Sequence, residues 1–189
     1  FAFSLLLTSP AAAQNSEKAA ARAMAHEGLE HFKAERFAKA LDRFSRAHSL
    51  VGAPTTGLWK ARSLEKVGRW VEATELYLDI AETKLDGDAD PRWVKAVDKA
   101  RNERLALMPR LPKLTIIIEG DGASAAKVSI DGRRVSSALV GVAQPLDPGQ
   151  HVISAKHASD TAEARVSLAA AEKKEVRLQL RAPTQAAPT

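Results

Sequence analysis

A chain of 189 residues can hold one domain or two small ones, and a hydrophobic share of 45% supplies apolar surface for packed cores, which excludes global disorder. The net charge of +5 comes from basic residues interleaved with acids, as in Leu64 to Glu75, with three of the surplus charges up to Arg110 and two beyond. A nucleic-acid binder concentrates its bases on one face, so no nucleic-acid partner is expected. There is no cysteine, which excludes structural disulfides, thiolate metal sites and a cysteine nucleophile.

Residues 1–13 read as the remnant of a secretory signal. Phe1 to Leu7 is an apolar run, Pro10 interrupts it, and Ala11-Ala12-Ala13 supplies small residues before a cut. Export is therefore expected, with Gln14 as the mature start. The run is far shorter than the ~20 residues of a membrane span. Without an initiator methionine, the true start is expected upstream. A lipoprotein anchor needs a cysteine at the cleavage point and is not expected.

From Glu17 to about Lys33 the pattern is helical, with alanines and interspersed charges. Glu35-Arg36 makes a tight link, Phe37 to Leu50 a returning helix, and Val51-Gly52-Ala53-Pro54 punctuates it. The cycle then repeats, with Ala61 to Tyr77 folding back around Gly68. Phe37 matches Trp70, Ala40 matches Ala73 and Phe44 matches Tyr77, each 33 residues on, and Gly28 and Ala61 keep the same offset. Small residues stand where two backbones must approach, and aromatics one helix turn later fill the gap.

On these residues, 22–83 resemble two tetratricopeptide repeats. They depart from that pattern at Glu35, where glycine is common, and at Gly52, where proline is common. The resemblance implies a stack of antiparallel helical hairpins whose inner face grips a peptide. The groove residues it implies are Arg22, Leu29, Phe32 and Lys33, then Leu58, Arg62, Glu65 and Lys66. Four of these eight are basic, which suits an extended peptide with acidic side chains or a free carboxylate.

Leu85 to Pro91 is an acidic linker. Asp90 as N-cap and Pro91 as first helical residue start a fifth helix running to about Met108, with Trp93, Val97, Ala100 and Leu105 near helical spacing. It has no returning partner and reads as the cap of the stack. Pro109 and Pro112 end it.

Beyond Leu111 the period becomes two. Residues 114–119, 126–130, 133–136, 151–157, 163–169 and 174–180 read as short strands. Asp131-Gly132 fits a two-residue hairpin, and Asp147-Pro148-Gly149-Gln150 a turn with proline and glycine in the middle. Val176, Leu178 and Leu180 alternate with Arg177, Gln179 and Arg181, which leaves one face of the last strand wet. A small antiparallel β-sandwich follows, so the expected fold class is α+β in two segregated domains, 14–110 and 111–181, with 182–189 as a Pro/Ala-rich tail.

The second domain resembles a PEGA domain. Ala126-Lys127-Val128-Ser129-Ile130-Asp131-Gly132, Leu146-Asp147-Pro148-Gly149-Gln150-His151-Val152 and the basic last strand carry the likeness, over residues 112–181. The four residues that name the family are absent in order, and Gly120-Asp121-Gly122-Ala123 stands in their region. Repeats and sandwich behind a signal look like myxobacterial-type envelope proteins, which implies a periplasmic or cell-envelope location in a Gram-negative bacterium. Such proteins often continue into a linker and a membrane segment, so membrane attachment is expected only through a segment outside this chain.

Catalytic and metal motifs are weaker. His26 and His31 lie five apart, roughly 140° around a helix, and cannot share a metal, so His26 with Glu30 reads as a solvated pair. Asp86, Asp88 and Asp90 open like a calcium loop, but Pro91 and Val97 occupy the places that need glycine and glutamate, so a helix-capping turn is expected. Gly120-Asp121-Gly122 lacks the lysine of a phosphate loop and reads as a hairpin bend. No histidine shows an orienting partner in sequence. Trp59, Trp70 and Trp93 read as core rather than sugar platforms. The expectation is a protein that is not an enzyme and needs no cofactor: an envelope adaptor binding a protein or peptide. The alternative is a sandwich that binds envelope glycan.

Overall fold

The computed structural model describes residues 10–180, with side chains from residue 14. The apolar run of the expected signal and the tail 182–189 lie outside the described residues. The chain is α+β with helices and strands segregated. Two compact units part between Ala106 and Leu107, where the fifth helix ends, ahead of the Arg110 boundary that the prolines suggest.

The first unit holds α1 (Pro10–Lys33), α2 (Phe37–Val51), α3 (Pro54–Lys66), α4 (Trp70–Ala81) and α5 (Pro91–Leu107). α1 begins at Pro10 rather than Glu17, because proline at a first helical position loses no needed N–H and the alanines behind it are the best helix formers. The 33-residue offset reappears bond by bond. Arg36 N–H donates to the His31 carbonyl at 2.9 Å, and Arg69 N–H to Leu64 at 3.0 Å. Glu35 N–H donates to Phe32 at 3.0 Å, and Gly68 N–H to Glu65 at 3.1 Å. Both hairpins thus close with the same left-handed helix cap, at φ 56° for Glu35 and 86° for Gly68. A side chain in that conformation is strained, so Glu35→Gly is expected to stabilise the first hairpin by about 0.5–1 kcal/mol. Denaturant midpoints of the two proteins check this; a lower midpoint would show that Glu35 earns its place elsewhere.

Ala40, Phe44, Ala73 and Tyr77 are all fully buried, as small-then-large packing between paired helices requires. A Cβ on Gly28 would stand 2.9 Å from the Phe44 ring, so only glycine lets α1 come this close to α2. On α5 the buried stripe is Ala96, Val97, Ala100 and Leu107. Trp93 and Leu105, expected on that stripe, are 38% and 62% exposed. Leu105 lies five residues beyond Ala100, which turns it well away from the buried face. Asp90 caps α5 as expected, accepting the Arg92 N–H at 2.8 Å. α5 is fastened to the stack by Arg62 and Glu103, described below.

The second unit has every expected strand and one more. Its strands are β1 (Lys113–Glu119), β2 (Lys127–Ile130), β3 (Arg133–Val135), β4 (Gln144–Pro145), β5 (Gly149–His157), β6 (Asp160–Leu168) and β7 (Lys173–Gln179). β4 is too short to leave a periodic signal. The sheets run β4-β1-β7 and β3-β2-β5-β6. Pairing is antiparallel throughout except between β1 and β7, which run parallel from Lys113 opposite Lys173 to Glu119 opposite Gln179. Leu114, Ile116, Val128, Ile153, Leu168 and Leu178 fill the core between them.

Asp131-Gly132 turns as expected, with φ 50° and 78° at its two residues, the mirror-image turn that suits strand twist. Two local expectations fail. Gly120 to Ala123 is no hairpin bend but the crossover from β1 in one sheet to β2 in the other. Asp147 to Gln150 is no closed turn: Gly149 already belongs to β5, and the Asp147 carbonyl is taken by a histidine ring.

Candidate functional site

The helical unit carries a groove of about 520 Å³ on the side formed by α1, the start of α3 and the start of α5. α1 contributes Lys18, Ala21, Arg22, Ala25 and Leu29, which recur every three or four residues and so share one helix face. α3 and the residue before it add Ala53, Thr55, Thr56 and Trp59, Phe44 and Val51 come from α2, and Trp93 stands on α5. The walls are mainly apolar, and Lys18 and Arg22 are exposed beside them. Asp90 and Arg92 also border the groove; the Arg92 guanidinium and N–H hold the Asp90 carboxyl down to about 2, so the two leave no net charge there.

Trp59 links the groove to an aromatic ladder. Its ring stacks on Phe44 with centroids 5.9 Å apart, meets Phe32 edge-on at 5.2 Å, and carries the Arg62 guanidinium 4.6 Å above it. Phe32 in turn meets Phe37 edge-on at 5.2 Å, and Lys66 lies 5.7 Å over the Phe37 ring. Arg62 also donates to both carboxylate oxygens of Glu103 on α5, with Nε at 2.9 and 3.2 Å. That bond holds the guanidinium charged, raising its pKa against the opposing effect of burial.

Of the eight residues the sequence places in a groove, Arg22 and Leu29 line this one. Phe32, Arg62 and Lys66 belong to the ladder instead. Lys33 pairs with Glu30 at 2.9 Å, so Glu30 takes Lys33 rather than His26 as its partner. The Glu65 carbonyl accepts from Trp70 Nε1 at 3.0 Å, and its carboxylate accepts from the buried Tyr77 hydroxyl at 3.5 Å. Leu58 is 4% exposed and points into the core, the opposite of a groove residue. Trp59 and Trp70 are half-buried, neither core nor platform.

Thr56 is anchored rather than free. Its hydroxyl donates to the Ala53 carbonyl at 2.8 Å and lies 3.2 Å from His48 Nδ1, whose N–H it accepts. Burial, with Lys60 nearby, lowers the His48 pKa and keeps this ring neutral.

The sandwich holds a histidine cluster that the sequence does not announce. His151 is 8% exposed. Its Nδ1 lies 2.7 Å from Asp131 Oδ2, and its Nε2 donates to the Asp147 carbonyl at 2.9 Å. Asp131 Oδ1 accepts the Val152 N–H at 2.8 Å. Both ring nitrogens face acceptors, so the ring satisfies both only as imidazolium. Burial pushes its pKa down, but Asp131 and the Asp147 carbonyl outweigh that and raise it. The expectation that no histidine has an orienting partner is therefore wrong, because β2–β5 pairing joins residues twenty apart. The mirror-image turn residue Asp131 and a histidine beside a β-rich run were the available signal.

No family model matches the chain, and no curated protein or solved structure does. Among the described residues, no helix is long and apolar enough to cross a membrane.

Proposed function

We propose that this protein is a non-enzymatic adaptor that holds a protein partner in the groove of its helical unit. The groove carries the assignment: apolar walls ending in Trp93, with Lys18 and Arg22 beside them, suit a segment that is apolar on one side and acidic at its flank. The helices act as tetratricopeptide-like hairpins, and the second unit as a PEGA-like sandwich that serves as spacer or as a second contact for the partner. The apolar run Phe1 to Leu7 with the small residues Ala11 to Ala13 after it supports work outside the cytoplasm, in the envelope of a Gram-negative bacterium, and the assignment calls for no cofactor.

Trp93→Glu tests this. The side chain is 38% exposed, so the fold tolerates the change, while a carboxylate on the groove wall repels an acidic segment. Capture from an envelope fraction is expected to yield one stoichiometric protein with the natural chain and about tenfold less with the variant. Equal capture by both would defeat the adaptor assignment. Retention of cell-wall glycan that vanishes on deleting residues 112–181 would favour the sandwich as the binding module.

A further inference from the structure

The free edge of the four-stranded sheet is patterned to pair with itself. β6 bonds to β5 on one side, and among the described residues no strand lies on its other side. Which of its backbone groups point outward follows from β5. Asp131 N–H donates to the Val152 carbonyl at 2.8 Å, and Val152 N–H to Asp131 Oδ1 at 2.8 Å, so the Val152 peptide groups face β2. In an antiparallel ladder these directions alternate along each strand. Arg165, opposite Val152, therefore turns its N–H and carbonyl away from β5, and so do Thr161, Glu163 and Ser167. The Ser167 carbonyl fits this, accepting from Lys174 Nζ at 3.0 Å. The side chains of the same four residues are exposed.

A second copy can dock antiparallel only in registers that set one outward-facing residue against another. About Ala164, Glu163 of each copy lies opposite Arg165 of the other, and Thr161 opposite Ser167. The neighbouring allowed registers centre on Glu163 or on Arg165 and set a charge against its own kind. The charge pattern thus selects one register. We propose that β6 pairs with β6 of a second copy about Ala164, through two reciprocal Glu163–Arg165 contacts, and joins two four-stranded sheets into one.

Among the described residues, the ion pair these two side chains make is with each other, at 3.8 Å with 52% and 83% exposure for Glu163 and Arg165. The other edges fit less well. β4 has two residues, and β3 has three with Arg133 beside Arg134. On β7, Arg177 is already held by Glu119 and Glu175, each at 2.7 Å.

Sedimentation of the full chain over a concentration series tests the pairing. The natural protein is expected to show a monomer–dimer equilibrium. Glu163→Arg and Arg165→Glu should each raise the dimer dissociation constant about tenfold or more, since either change makes both contacts repulsive. The double variant E163R/R165E restores opposite charges and should dimerise again, as should an equimolar mixture of the two single variants. That rescue separates lost pairing from lost folding. A protein monomeric at every concentration overturns the proposal, and so does a dimer indifferent to the single reversals or sensitive only to reversals of Glu175 and Arg177.

Discussion

Ala73→Glu is expected to cost the helical unit about 3–5 kcal/mol, because it forces a charge without a partner into a fully buried helix contact. A unit of this size has about 5–15 kcal/mol to lose, so the change removes much or all of its margin. The site is as tight as its repeat counterpart Ala40, also fully buried, and neither has room for a longer side chain to bend out to water. Circular dichroism at the helix minimum should show the cooperative transition moved down by many degrees or absent. Glu75→Ala, two residues on and exposed, should shift it by ~0.5 kcal/mol or less. Melting of Ala73→Glu alongside the natural protein would show that α3 and α4 do not pack as paired repeat helices.

The second large effect is in the sandwich and depends on pH. His151 binds a proton more tightly in the folded chain than its ordinary value of 6.5. Its contribution is therefore complete below about pH 6.5 and is lost as pH rises through the raised folded value. Asp131 behaves oppositely. Burial opposes its ionisation, but the Val152 N–H and His151 outweigh that and hold it below 3.8, so its contribution fades on acidification. The pair is strongest between these limits. His151→Gln should cost about 1.5–3 kcal/mol at pH 6 and flatten the decline that begins above pH 6.5, as the raised folded value is passed. The tryptophans and the tyrosine all lie in the helical unit, so the readout is amide exchange at Val152 in both proteins, with the ring-proton titration of His151 in the natural one. An unchanged pH slope in the variant would show that another group governs the decline.

Much of the fold was legible because it is local. The 33-residue offset places both hairpins, since a small residue followed by an aromatic one turn later can satisfy only one kind of helix contact. Alternation in residues 151–157 and 174–180 marks strands for the same reason. What was hidden is long-range. Nothing near Lys113 or Lys173 says that their strands run parallel, and only β2–β5 pairing brings Asp131 to His151. The groove was half legible. Arg22 and Leu29 line it, but Leu58 points inward, because an offset carried from one repeat to the next fixes the helix without fixing which face meets water. The helical spacing of Trp93 from Val97 predicts a core position, yet Trp93 stands in the first turn of α5, where residues 91–95 are all exposed.

The parallel pairing of β1 with β7 decides how this domain bears load. The chain enters β1 at Lys113 and leaves β7 at Gln179, at opposite ends of a seven-residue ladder. A pull on these two ends slides one strand along the other, straining every rung together rather than unzipping them singly. Tension along the polypeptide thus meets the sandwich in its stiffest direction.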